Sequence, residues 1–335
     1  MILEDPAVKF NTIHTILQDD ENLVDVNTLC SIAGVSRSGY YRWVKAAETR
    51  ESHELQDRAD FELILAAFKH RGYDKGARGI YMHLLHQDPP VVMNIKKIRR
   101  LMKKYGLLCP VRKANPYRRM AKAIRTSHVA DYLVERKFTE FGPRTILLTD
   151  ITYIPYYDGN ERRFAYLSTI IDAYTRQVLS YAVSDSLEVD FVLETVEQLV
   201  QNHGVSLHTE TIINSDQGAH YTSNSFIQIL RDHELRQSMS HRGNCWDNAP
   251  QESFFGHMKD EININAFTCY EDVKTAIDDW MDYYNNERYQ WQLAKLSPNE
   301  YYEYCITGRY PLCIPAPNQA KQPAVNKQEK EPARN

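Results

Sequence analysis

No stretch of the 335 residues approaches the roughly 18 uninterrupted apolar residues of a membrane span, which excludes a helical membrane protein. The opening MILEDPAVKF lacks the basic-then-apolar pattern of a secretion signal, so a cytoplasmic protein is expected. The six cysteines, at 30, 109, 245, 269, 305 and 313, contain no C-x-x-C pair. That pattern argues against a disulfide framework and a zinc ribbon, and for reduced thiols. His83 and His86 have ligand-like spacing, but with no cysteine pair to complete a site, structural zinc is not expected. Internal repeats and heptad runs are also missing, which removes solenoids and coiled coils. What remains is an ordinary globular composition, 43% hydrophobic and 25% charged, long enough for two or three domains.

The net charge of −4 conceals an asymmetry. Between Lys69 and Arg125 stand sixteen Lys or Arg against two Asp, a net of +14, so the remainder of the chain carries −18. A solvated helical surface is the ordinary reading of block charge. This block is too one-sided for salt bridging within helices, and it reads instead as an electrostatic footprint for phosphates.

Local patterning divides the chain. VNTLCSIAGVSRSGYYRW gives a short helix with Leu29, Ile32 and Ala33 as its apolar stripe, a turn at Gly34, and Ser36 as the cap of a second helix. That is the rhythm of a helix-turn-helix. In MNIKKIRRLMKKYGL, Ile95, Ile98, Leu101, Met102 and Tyr105 keep a helical stripe while Lys96, Lys97, Arg99, Arg100, Lys103 and Lys104 crowd the remaining surface, and Gly106 stops the helix. From about 140 the period changes. RTILLTDITYIPYY and RRFAYLSTIIDAYTRQVLSYAVS read as three strands of a meander, with turns at Asp158-Gly159-Asn160 and near Asp172. A helix (about 188–203), a short strand, a helix (about 223–233), a strand (about 236–239) and a further helix follow, which describes a mixed sheet with helices against it. EDVKTAIDDWMDYYNNERYQ makes another helix with Val273, Ile277, Trp280 and Tyr284 on one stripe, and the tail from about 315 is too polar to fold.

Three carboxylates stand out. Asp150 interrupts the apolar run ILLTDITYI, and Asp216 closes TIINSD before a Gln217-Gly218 turn. A charge at such strand positions is costly unless a hydrogen bond, an Arg or a metal ion compensates it. Glu252 opens a helix behind Trp-Asp-Asn-Ala-Pro. At about 100° per residue, Phe254, Phe255, Met258 and Ile262 form its apolar side, while Glu252, Gly256 and Lys259 share another. A Glu at a helix start is by itself an ordinary dipole-stabilising residue. Hard divalent cations take oxygen ligands, and a closely spaced pair of them serves phosphoryl transfer, a site that requires carboxylates converging from separate elements.

Thirty-five residues separate Asp216 from Glu252. Together with LLTDITYI and INSDQGAHYTS, this spacing resembles the D,D-35-E pattern of the retroviral-integrase-like transposases, and more closely the second-frame protein of the copy-and-paste insertion-sequence family. The matching pieces, in order over roughly residues 28–305, are VSRSGYYRW, MNIKKIRRLMKKYGL, TDITYI, NSDQGAHYTS, SMSHRGNCWDNAPQESFFGHMKDE and YYNNERYQWQLAKLSPNEYY. One departure is Leu147, where the family commonly has Trp; Leu conserves burial. His220 and His241 stand where other polar residues are usual and are given no catalytic role.

The resemblance implies an α/β fold: an RNase H-like mixed five-stranded sheet flanked by helices, preceded by an all-α helix-turn-helix-like DNA-binding region. The implied organisation is a helix-turn-helix-like region over 1–54, a basic helical DNA-binding domain over 55–125 and a linker over 126–142. The catalytic core follows over 143–268, then a helical extension over 269–314 and a tail over 315–335. It further implies Asp150, Asp216 and Glu252 as catalytic ligands of two Mg²⁺ or Mn²⁺ ions, and Lys259 as a contact to the transposon end. Arg37, Lys96, Lys97, Arg99, Arg100, Lys103 and Lys104 are the expected DNA contacts. The implied enzyme is a polynucleotidyl transferase that cleaves and joins strands at terminal inverted repeats, acting as a homo-oligomer on DNA with no membrane partner, and in many members fused to an upstream frame. Two alternatives are a DNA-binding regulator with an idle core and a nuclease of the same fold that only hydrolyses.

Overall fold

In the computed structural model the described residues are 5–73, 75–109, 141–208, 210–239, 249–264 and 266–312. The chain folds as two compact units, Met1–Leu65 and Ala66–Asn335, with the boundary inside a long helix, α4 (Ala47–Lys69).

The first unit opens with α1 (Pro6–Leu17), α2 (Val26–Ala33) and α3 (Arg37–Lys45). Each start is capped by a side chain: Asp5 accepts from the Ala7 amide, Asp25 from those of Asn27 and Thr28, and Ser36 from that of Gly39. Gly34, at φ 64°, ends α2 in the left-handed conformation and turns the chain into α3. Ile13, Leu29, Cys30 and Tyr40 form the small core, with Phe10, Val26, Ala33 and Trp43 packed on it. One expectation is corrected here: Ile32 is 77% exposed, and the buried stripe runs through Leu29 and Cys30 instead. Rotation of about 100° per residue carries Ile32 past the edge of the face that meets α1 and α3.

The second unit begins with α5 (Ala77–Leu85) and α6 (Ile95–Lys104), which bury Ile80, Leu84 and Leu85 together with Ile98, Leu101 and Met102. Asn94 caps α6, and beyond Gly106 (φ 69°) the Leu107 amide returns to the Met102 carbonyl. The sheet has the order β3-β2-β1-β4-β5, from β1 (Ile146–Asp158), β2 (Glu161–Asp172), β3 (Val178–Ser184), β4 (Ile212–Ser215) and β5 (Arg236–Met239). The first three strands are antiparallel, and β4 and β5 run parallel to β1. Because β4 pairs only with Ile146–Leu148, β1 continues past its neighbour.

Helices α7 (Asp190–His203) and α8 (Asn224–Asp232) cover one face, closing a core of Leu147, Ile170, Leu179, Val196, Phe226 and Leu230. The expected burial of Leu147 is complete. Helices α9 (Ala249–Glu261) and α10 (Tyr270–Asn286) pack on the other face, where Phe254, Phe255, Met258 and Ile262 meet Val273, Ile277, Trp280 and Tyr284. Last comes α11 (Pro298–Thr307), opened by a capping box between Ser297 and Glu300.

The segment before α5 is fastened to α10 by polar contacts. The Arg71 guanidinium meets Asp279 at 3.1 Å and Asp282 and Glu287 at 2.6 Å, and the Tyr73 hydroxyl donates to Asp279 at 2.6 Å. His70 bonds to Glu287 as well. The two histidines with ligand-like spacing are used for packing: His86 stacks on Tyr289 at 3.5 Å and bonds to Glu300, and the His83 ring lies against His70. Cys30, Cys109, Cys269 and Cys305 are free thiols. No helix among the described residues is long and apolar enough to cross a membrane.

Candidate active site

Asp150 lies in β1 two residues beyond the last β4 pairing, opposite Thr169 of β2. Its Oδ1 accepts from the Ile151 amide at 2.8 Å. Asp216 follows β4 directly, and its Oδ1 accepts from the Gly218 amide at 2.8 Å. A Cβ at residue 218 would stand 2.9 Å from that same oxygen, so any side chain there would displace the Asp216 carboxylate. Glu252 occupies the exposed side of the first turn of α9. Two turns on, Lys259 is half-buried on the side that Glu252 shares, and Gly256 between them is open to solvent.

Electrostatics join these groups. Burial pushes the Asp150 carboxyl up to about 7; the neighbouring Asp216 and Glu252 push it the same way, against its amide bond and Lys259. Burial lowers the Lys259 ammonium, and Asp150 opposes that shift. Residues from β1, the end of β4 and α9 therefore share one field, in which negative charge exceeds positive. The sharing is electrostatic rather than a preformed cage: among the described residues no three His, Cys, Asp or Glu side chains are gathered closely enough to hold one ion. The donor set is carboxylate oxygen alone and short of positive charge, which fits a hard divalent cation.

Two residues outside the sequence reading support this site. Gln251, fully buried, donates from Nε2 to the Thr169 hydroxyl and so pins the first turn of α9 beside the register partner of Asp150. Tyr221 is buried beneath the carboxylates with its hydroxyl 3.5 Å from that of Thr149; burial, then Asp150, drives its ionisation well above the ordinary tyrosine range, so it stays neutral. A tyrosine five residues after an aspartate carries no signal of this kind in sequence. His220 is held through Nε2 at 2.8 Å from the Leu187 carbonyl, a loop-bracing bond. His241 lies outside the described residues.

The expected DNA contacts fall on two other helices, α3 and α6. Arg37 opens α3, exposed, with a bond to Asn27. On α6, Lys96, Arg99, Arg100, Lys103 and Lys104 are exposed and Lys97 is half-buried, all off the buried stripe.

Known families and proteins with related sequences bear on the chain as a whole. Two models, both described as integrase core domain, match residues 142–245 and 233–298, and a model described as HTH-like domain matches 54–115. An uncharacterized transposase-like protein of Haemophilus influenzae is 33% identical over 214 residues, 63% of this chain and 94% of that protein. The chain belongs to the insertion-sequence transposases with an integrase core. Transposase InsF for insertion sequence IS3A of Escherichia coli K12 is 28% identical over 281 residues, covering 82% of this chain and 93% of that one. The HTLV-2 integrase catalytic core in complex with magnesium overlaps 48% of the chain and 98% of its own, at 16% identity and a TM-score of 0.36. As an insertion-sequence transposase with an integrase core it is a polynucleotidyl transferase, built as the sequence implied: a mixed five-stranded sheet between helices, preceded by an all-helical region.

Proposed function

We propose that this transposase cleaves DNA at the terminal inverted repeats of its element and transfers the freed ends, with Asp150, Asp216 and Glu252 as the ligands of two divalent ions, Mg²⁺ or Mn²⁺. The observation that carries this reading is the half-buried Asp150 carboxyl of β1, whose ionisation is opposed by two acids from separate elements and favoured by Lys259. When bound, the ions would activate the attacking oxygen and neutralise charge at the leaving one. The chain's own groups do the positioning. Gln251 sets α9 against β2, Gly218 lets the Asp216 oxygen approach the backbone, and Lys259 contacts a phosphate of the bound end.

Water first breaks a phosphodiester and releases a 3′-hydroxyl. That hydroxyl then attacks a second phosphodiester, near the other end of the element and later in target DNA, so each P–O bond broken is replaced by one formed and no enzyme-bound covalent species arises. Arg37 of α3 and the basic face of α6 (Lys96, Lys97, Arg99, Arg100, Lys103, Lys104) hold the repeats, chiefly through phosphates. Two ends need two grips, which calls for a homo-oligomer on DNA.

The test is purified full chain, wild type and Asp150→Asn, on labelled terminal-repeat DNA with and without Mg²⁺. Cutting and joining are expected only for wild type with the metal. A variant that cuts as well as its parent would overturn the site. Cutting without joining would leave a hydrolytic nuclease, and end binding without cutting would leave a regulator.

A further inference from the structure

Beside the catalytic helix lies a cavity of about 390 Å³ that the reaction outlined above does not use. Arg176 enters it from the β2–β3 turn, Pro250, Ser253 and His257 from α9, and Arg288 and Gln290 from the chain after α10. Phe254 and Tyr284 form apolar parts of its wall. Among the described residues no carboxylate lines it.

The two arginines differ in what they hold. Arg288 is committed: its Nε and Nη2 donate to Glu261 at 2.8–3.1 Å. The Arg176 Nη1 is buried without a hydrogen-bond partner among the described residues. Burial lowers the Arg176 guanidinium, and only Tyr284 and Asp172 oppose that shift. The Asp172 oxygens are already taken by the Arg144 and Tyr174 amides and the Thr175 hydroxyl. The backbone fixes the turn, with φ 64° at Arg176 and its amide on the Asp172 carbonyl at 2.9 Å. A desolvated cation without its own counter-ion is costly, and an anion in the cavity would remove that cost. The first turn of α9 adds the positive end of a helix dipole.

We infer that this cavity seats a backbone phosphate of the DNA being processed, with Arg176 as its principal donor and Ser253 and His257 at its rim. The inference rests on the function proposed above and names a contact within it. Ser253 and His257 lie about 100° and 140° around α9 from Glu252 and at most about 8 Å along its axis. A phosphate seated there therefore belongs to a nucleotide only a few steps from the bond held at the carboxylates. Burial, then the Arg288 charge, holds the His257 imidazole below its ordinary value, and a phosphate would oppose that.

The experiment is fluorescence anisotropy of the full chain with terminal-repeat DNA in EDTA, so that binding is read without chemistry. A series of duplexes each carries one neutral methylphosphonate near the cleavage point. For wild type, one position within about three nucleotides of the cut is expected to weaken Kd about tenfold. In Arg176→Gln that position should cost less than twofold, and the slope of log K against log salt should fall by about 0.9, the value for one neutralised phosphate. Ser253→Ala, which alters only the rim, should reduce the same penalty by about half and guards against misfolding of the arginine variant. An identical penalty in all three proteins would overturn the seat. So would a wild type that binds inorganic phosphate through Arg176 yet shows no sensitive position in the DNA. A wild type that binds no terminal-repeat DNA would instead overturn the functional reading beneath it.

Discussion

Gln251 donates its side-chain amide to the hydroxyl of Thr169, the residue opposite Asp150 in the β1–β2 ladder. One buried bond thus ties the start of the helix that carries Glu252 to the strand beside the first carboxylate. Removing it by Gln251→Ala is expected to lower DNA cleavage at least tenfold with DNA affinity nearly unchanged, and to cost about 1–2 kcal/mol of stability from the missing bond. Cleavage kinetics beside a thermal melt would check this; a variant that melts early but cuts normally would show that the bond serves folding alone.

Gly218→Ala tests the turn after β4. The added Cβ would stand 2.9 Å from the Asp216 oxygen that accepts the residue 218 amide, so the carboxylate must swing away. The turn is at the surface, so Tm should move by no more than a few degrees while cleavage falls by tenfold or more. Equal activity in the alanine variant would mean that Asp216 needs no such hold.

The metal-free protein should be penalised for ionising Asp150. Its folded value of about 7 lies above the ordinary carboxylate value. The folded chain therefore binds the proton more tightly than the unfolded one, and stability from this group is present at low pH and is lost as pH rises from about 4 through about 7. In EDTA at pH 8, Asp150→Asn should melt higher than wild type by an amount on the order of a few kcal/mol, a gap that closes towards pH 4. Mg²⁺ should stabilise wild type more at pH 8 than at pH 6 and leave the variant unmoved. Differential scanning calorimetry across that range reads both effects.

On α6, Lys96→Gln, Arg99→Gln and Lys103→Gln together remove three exposed charges without touching Ile98, Leu101 or Met102. The salt slope of DNA binding should fall by about 0.9 for each phosphate that is no longer neutralised, with far-ultraviolet circular dichroism unchanged. An unaltered slope would assign the phosphate grip to another surface.

Much of α9 is legible in sequence because a single helix obeys one period: Phe254, Phe255, Met258 and Ile262 are buried and Glu252 and Lys259 share the remaining side, as counting at about 100° per residue requires. The caps at Ser36 and Gly34 were legible for the same local reason. Ile32 was misread because a stripe in sequence does not say how wide the covered face is. Pairings between distant segments left no local trace. Gln251 and Thr169 are 82 positions apart, and Arg71 and Glu287 are 216 apart. The Arg176 cavity forms only when a turn, a helix flank and the segment after α10 come together.

The Arg71 cluster has a bearing on where a bound element would be cut. With its guanidinium shared among Asp279, Asp282 and Glu287, and Tyr73 and His70 seated on the same stretch, the start of the basic region is bolted to the helix that backs α9. If the duplex of the proposed reaction lies along that region, this fastening would set how far it sits from the proposed cutting residues.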